Sequence, residues 1–165
     1  MTGLLGSGRT EIAESLFGVT PADAGEIRVA GKPVSIRSIQ HAVAAGIGYV
    51  PEDRLTQGLF LEKSIADNIV AASLPTHRTR WGTLSRSGIA ETIRRYFTGL
   101  KISAPNAQAA VRTLSGGNAQ RVVLAKWLAT SPTVLMLNGP TVGSISAPRK
   151  RSSNCCGCRP PRGCR

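Results

Sequence analysis

The chain has 165 residues and a formal net charge of +12, with 41% apolar, 18% charged and 4% aromatic residues. That composition excludes a disordered or collagen-like polymer, and no apolar run approaches the ~18 residues that a membrane-spanning helix requires. Half of the excess positive charge and all four cysteines fall in residues 144–165, which contain no acidic residue, so the remainder suits one ordinary domain.

In chain order, Arg9 to Phe17 reads as a helix with Ile12, Ala13, Leu16 and Phe17 on one face and Gly18 at its end. Glu26 to Ala30 and Pro33 to Ile36 flank Gly31-Lys32 as a hairpin. Ser38 caps a short helix through Ala45, and Ile47 to Val50 reads as a buried strand. Ser64 precedes a helix through about Ala72, residues 73–82 read as a loop, and Ser87 precedes a helix through about Leu100. A strongly amphipathic helix follows Gly117, carries Val122, Val123, Lys126 and Trp127, and ends near Thr130. Pro132 then opens an aliphatic run, Thr133 to Asn138, with the composition of a strand covered on both faces. Strands alternating with helices predict an α/β layer fold with a helical insertion between two strands.

The charge does not by itself point to nucleic acid. Up to residue 143 the basic residues are interspersed with acidic ones in the manner of a solvated surface, and the stacking platforms that single-strand readers use are scarce. No direct nucleic-acid binding is expected. The start of the chain has no basic segment followed by a long apolar one, so no secretory signal is read there. At the other end Cys155 and Cys158 form a C-x-x-C, but Cys158 and Cys164 lie too close together, around two prolines, for a second zinc-ligand pair. Residues 144–165 therefore read as an unstructured, basic, Pro/Cys-rich tail. His41 and His77 each stand without a partner at ligand spacing.

Two stretches carry chemistry. Gly3 to Thr10 read G-L-L-G-S-G-R-T, the phosphate-loop pattern with arginine in place of lysine. Glycines allow successive backbone N–H groups to converge on phosphate oxygens, a helix N-terminus adds its positive end, and the hydroxyl of Thr10 is placed to reach magnesium. Arg9 keeps the positive charge but is planar and longer than a lysine. The second stretch, Leu114-Ser115-Gly116-Gly117-Asn118-Ala119-Gln120-Arg121, opens the amphipathic helix with paired glycines and offers a second anion-binding surface.

Together these strings resemble the phosphate loop and signature of ATP-binding-cassette (ABC) ATPases. The segments from Pro21 to Ser38, from Ala45 to Arg54 (A-G-I-G-Y-V-P-E-D-R) and from Ser64 to Ile69 narrow the resemblance to the second ATPase domain of carbohydrate importers of the ribose, galactose and xylose type, in which arginine is common in the loop. The resemblance implies a partial P-loop NTPase core over residues 1–143, from the phosphate loop to the Walker B strand, with the signature in a helical insertion and an unrelated tail over 144–165. It implies ATP and Mg2+ as cofactors. Gly3, Gly6, Ser7, Gly8, Arg9 and Thr10 would hold the phosphates, with Thr10 a weak magnesium ligand. Leu114, Ser115, Gly116, Gly117, Asn118 and Gln120 would meet the nucleotide bound on a second cassette domain, paired head to tail. Glu52 occupies the place of a residue that senses magnesium and water, and the stretch from it to Asn68 is where such domains meet a membrane permease. The implied location is the cytoplasmic face of the inner membrane, held there by the permease and not by any transmembrane segment of the chain's own.

Departures from the pattern matter equally. The strand Leu135-Met136-Leu137 ends in Asn138-Gly139-Pro140-Thr141 where the family has D-E-P-T, so the magnesium-anchoring aspartate and the base that polarises water are replaced by an amide and a glycine. No intact catalytic group is left, and loss of such a base lowers the rate on the order of a hundredfold or more. An ATPase by family is thus predicted to bind nucleotide weakly and to hydrolyse it poorly or not at all. The abrupt change of composition after Gly143 reads as an out-of-frame ending, and the start at the mouth of the loop reads as truncation. Two alternatives are set against the importer reading: a non-functional remnant of a disrupted transporter gene, and a basic nucleic-acid-binding or zinc-binding tail protein.

Overall fold

The computed structural model describes residues 8–139. Within them nine regular elements follow one another as α1 (Arg9–Phe17), β1 (Ile27–Val29), β2 (Lys32–Val34), α2 (Ile39–Ala44), β3 (Ile47–Val50), α3 (Ile65–Val70), α4 (Arg86–Gly99), α5 (Gly116–Leu128) and β4 (Val134–Leu137). Short 3-10 turns occupy Leu74–His77 and Val111–Thr113. The first of these falls in a stretch predicted to be loop, and Pro75 in its opening turn presets the backbone for it. The tail over residues 144–165 lies outside the described residues.

β3 and β4 pair in parallel, with Ile47 opposite Val134 and Val50 opposite Leu137, and the whole of α3, α4 and α5 intervenes between them. This is the predicted helical insertion between two strands. β3 is buried along its length. β4 is not: Val134 and Leu137 are 42% and 41% exposed, because among the described residues β3 is its only sheet neighbour. The expectation of a strand covered on both faces is corrected accordingly.

α1 is placed as predicted, but its buried face is narrower. Ala13 and Phe17, one turn apart, are buried, whereas Ile12 is 47% exposed. Gly18 ends the helix, with the amides of Gly18 and Val19 on the carbonyls of Ser15 and Glu14. Phe17 then joins α1 to the sheet and to α5, its ring centroid lying 5.2 Å from both Tyr49 and Trp127.

α5 departs from the amphipathic expectation. Val122, Val123, Leu124 and Ala125 are consecutive and all buried, so the helix is covered nearly all the way round by β3 on one side and by α3 and α4 on the other. It is the central element of the core. α3 carries the full capping box, Ser64 Oγ accepting from the Asp67 amide while the Asp67 carboxylate accepts from the Ser64 amide. α4 starts earlier than predicted: Ser85, not Ser87, is its cap and accepts from the Gly88 amide at 3.2 Å.

The hairpin also shifts by one residue. Val29 pairs with Lys32, so the two-residue turn is Ala30-Gly31 and not Gly31-Lys32. Both turn residues have positive φ, 50° and 79°, as a type I′ turn requires. Alanine is strained in that region, and asparagine tolerates it. Ala30→Asn is expected to stabilise the fold by about 0.5–1 kcal/mol, raising the Tm by roughly 2–4 °C in a circular-dichroism melt; an unchanged or lower Tm would show that the hairpin is not formed in this register.

Candidate functional site

The site lies where α1 begins and β4 ends. Gly8 precedes α1 with φ 77°, a left-handed conformation open to glycine, and its carbonyl accepts the amide of Ile12 to start the helix. Arg9 and Thr10 then form the first turn, where the backbone N–H groups lack helical partners and the helix dipole is positive. Gly3, Gly6 and Ser7 lie outside the described residues.

Asn138 follows β4 and is only 3% exposed. Its amide N–H bonds to the Val50 carbonyl, extending the parallel ladder by one residue. Its side chain closes the site: Arg9 Nε donates to Oδ1 at 3.1 Å, and Nδ2 donates to Thr10 Oγ1 at 3.0 Å. The same Nδ2 lies 3.5 Å from the Tyr49 hydroxyl. Three candidates recognised in the sequence, Arg9, Thr10 and Asn138, are thus brought into one hydrogen-bonded group. Burial pushes the Tyr49 phenol above its ordinary range; the Asn138 hydrogen bond opposes that rise, and the nearby Glu14 and Glu52 carboxylates add to it. Tyr49 therefore stays neutral at physiological pH.

Glu52 and Gly139, two further candidates from the sequence, are neighbours. Gly139 has φ 63°, and a Cβ built on it would lie 3.1 Å from Glu52 Cγ and 3.5 Å from Cδ. The Glu52 side chain thus fills the space into which a residue at position 139 would project. The loop after Glu52 is held by Asp53, whose carboxylate accepts from the Thr56 hydroxyl at 2.7 Å and from the Leu55 and Thr56 amides at 3.2 Å. These bonds, chiefly those from Thr56, hold Asp53 below the usual carboxylate range.

The residues read as a signature lie at the start of α5. Ser115 is the cap residue of α5 but its side chain makes no capping bond; its hydroxyl accepts from Asn118 Nδ2 at 3.2 Å. Asn118 Oδ1 in turn takes the Ser103 amide at 3.0 Å. Gly116 and Gly117 are exposed, and a Cβ on either would meet nothing within 4 Å. A side chain at either position would therefore project into open space. Leu114 is half-buried, and the buried Gln120 accepts from Arg54 at 3.3 Å. That bond links α5 to the loop that carries Glu52.

Sequence reasoning missed Tyr49, Arg54 and the buried end of Lys126. Lys126 Nζ donates to the Gly58 carbonyl at 3.2 Å and lies over the Phe60 and Trp127 rings, and burial lowers its pKa. It lines a cleft of about 350 Å3 together with Glu14, Phe17, Tyr49 and Trp127. A lysine one residue before a tryptophan gives no sign of this, since both were read as parts of an amphipathic face. His41 and His77 each have a local partner, the Arg37 amide and the Thr92 hydroxyl respectively, at 3.4 Å. Among the described residues no group of three or more His, Cys, Asp or Glu could hold a metal ion, and no helix is long and apolar enough to cross a membrane.

The chain is similar to known proteins in sequence and in fold. The chain is 44% identical over 143 residues to a ribose import ATP-binding protein of Pseudomonas putida, and 43% identical over 143 residues to a galactofuranose transporter ATP-binding protein of Escherichia coli. Each match covers 87% of this chain and 28% of the relative, so the chain spans less than a third of the relatives' length. Among solved structures it resembles a nucleotide-free ATP-binding cassette from an ABC transporter, with TM-score 0.67 and 18% identity over 87% of this chain and 58% of the other. It also resembles cbiO1 of Clostridium perfringens, with TM-score 0.62 and 21% identity over 82% of this chain and 51% of the other. The fold is therefore that of an ATP-binding cassette, a P-loop NTPase. The ABC transporter family profile matches residues 1–142. A glycine-opened helix bonded to the end of a parallel strand, a helical unit inserted between two parallel strands and these similarities lead to one conclusion: the chain belongs to the ABC transporter family.

Proposed function

We propose that the chain is the nucleotide-gripping portion of a carbohydrate import ATPase, with residues 1–143 the partial cassette and 144–165 an appended segment without a role in it. Gly3, Gly6, Ser7, Gly8, Arg9 and Thr10 hold the phosphates of ATP. The observation that carries this reading is the Asn138 side chain bonded to Arg9 and Thr10, since it joins the strand end after the helical insertion to the start of the phosphate-loop helix. Asn138 and Gly139 supply neither an anion nor a base, so hydrolysis at this loop is poor and the chain's contribution is structural: Ser115, Gly116 and Gly117 complete a site on a partner cassette domain. The loop from Glu52 to Asn68 meets a sugar permease on the cytoplasmic face of the membrane. The sugar carried by the relatives, ribose or galactofuranose, supports a monosaccharide as the transported class.

Gly116→Asp tests the division of roles. A carboxylate placed on the open first turn of α5 repels a phosphate facing it across a domain pair, yet leaves the chain's own loop untouched. Expected is loss of ATP-dependent association with an intact cassette domain in analytical ultracentrifugation, at least about tenfold in Kd, with no change in the chain's own ATP affinity. Association that survives the substitution would remove the signature from the account.

A further inference from the structure

The hydrogen-bond polarity at Thr10 allows a statement about which form of nucleotide the site takes, and it rests on the reading of that site as a phosphate grip. Arg9 Nε is a donor only, so the Asn138 atom facing it at 3.1 Å must be the carbonyl oxygen, and the atom 3.0 Å from Thr10 Oγ1 must be the amide nitrogen. The amide orientation is thereby set by its partners. Thr10 Oγ1 accepts an N–H, and Nδ2 reaches the Tyr49 hydroxyl on its other side.

Magnesium does not fit that arrangement. The ion takes oxygen ligands in a near-ideal octahedron and is normally held through one or two carboxylates with waters and phosphate oxygens. Here the hydroxyl assigned to it gives one of its two lone pairs to the Asn138 amide, and the group beside it is neutral, with its carbonyl oxygen taken by Arg9, so the strand end offers no anionic oxygen to a cation. The Glu52 side chain packs against Gly139 and makes no hydrogen bond to Asn138 or Thr10. Among the described residues nothing assembles a cation cluster.

The same substitution acts on the nucleotide with the opposite sign. An aspartate at position 138 would repel the phosphates of a nucleotide that lacks its cation, whereas a neutral amide does not. Arg9 leaves its charge in the first turn of α1, where its Nε is held by Asn138 Oδ1. We infer that this site is selective for uncomplexed nucleotide: it binds ATP free of magnesium at least as well as magnesium-ATP, and Asn138 is the residue that sets that preference. The chain would then hold ATP without activating it.

Titration calorimetry of ATP into the full chain, in magnesium and in EDTA, tests this, with Asn138→Asp beside the wild type. Expected is a wild-type Kd in EDTA equal to or below that in magnesium. The Asp variant is expected to reverse the order, binding at least about tenfold more tightly with magnesium than without it. A wild type that binds tenfold or more tightly with magnesium overturns the inference and leaves the nucleotide reading standing. Asn138→Asp remaining indifferent to magnesium overturns the role given to Asn138. ATP binding in neither condition overturns the nucleotide reading and the inference with it. The wild-type comparison decides the metal preference even should the variant fail to fold.

Discussion

Asn68→Ala is expected to destabilise the fold by about 2–4 kcal/mol and to lower the Tm by roughly 6–15 °C. Asn68 is fully buried on α3, and its side chain makes three bonds: Oδ1 accepts the Phe60 amide at 2.8 Å, while Nδ2 donates to the Phe60 carbonyl at 3.0 Å and to the Ser64 carbonyl at 2.9 Å. It acts as a local substitute for a strand partner, satisfying both polar groups of Phe60 where the loop from Glu52 turns into α3. Alanine leaves the Phe60 amide without its acceptor, strips one of two donors from the Phe60 and Ser64 carbonyls, which keep the Lys63 and Asn68 amides, and empties a fully buried position on α3. Asn68→Asp separates hydrogen bonding from volume. A carboxylate keeps the shape but faces two carbonyl oxygens, so it should be at least as damaging as alanine at neutral pH and should recover part of the loss as the pH falls and the acid becomes a donor. Urea unfolding followed by circular dichroism checks both; an Ala variant within 0.5 kcal/mol of the wild type would mean that the loop is not held this way.

Much of the fold was legible because local chemistry and tertiary packing agree. Ser38 and Ser64 lie where a hydroxyl can take the amide three residues on, and both do so. Ile47 to Val50 is apolar except for Tyr49 and is buried throughout. Where expectation failed, the missing information was non-local. Ser85 and Ser87 are both plausible caps by type, and only the position of Gly88 selects the first. The run after Pro132 has the composition of a central strand, but its exposure depends on how many strands flank it, which composition does not encode. α5 looked amphipathic, but its polar Gln120 is buried against Arg54 and its half-buried Lys126 is bonded to the Gly58 carbonyl.

The site divides in the same way. That Arg9, Thr10 and Asn138 belong together followed from their motifs. The direction of the bond between Asn138 and Thr10 did not, because it is decided by Arg9 occupying the other end of the amide. The meeting of Glu52 with Gly139 had no sequence signal either: it arises from the parallel pairing of β3 and β4, which brings the residues that follow the two strands side by side.

Arg9→Ala is expected to have the largest functional effect. A charge-assisted hydrogen bond contributes about 1.5–3 kcal/mol, so removal of the guanidinium should weaken ATP binding by roughly 10- to 150-fold. It also strips Asn138 Oδ1 of the donor at 3.1 Å and costs some stability through that buried oxygen, about 1–3 kcal/mol. Arg9→Lys distinguishes the two effects. It restores the positive charge to the loop but not the planar fork, so affinity should recover in part while the stability loss remains.

Equilibrium binding of ATP to the full chain, measured in parallel with Arg9→Ala, tests the central claim most directly. The account predicts saturable binding at one site that weakens at least tenfold in the variant. No saturable binding, or binding that Arg9→Ala leaves unchanged, would contradict it.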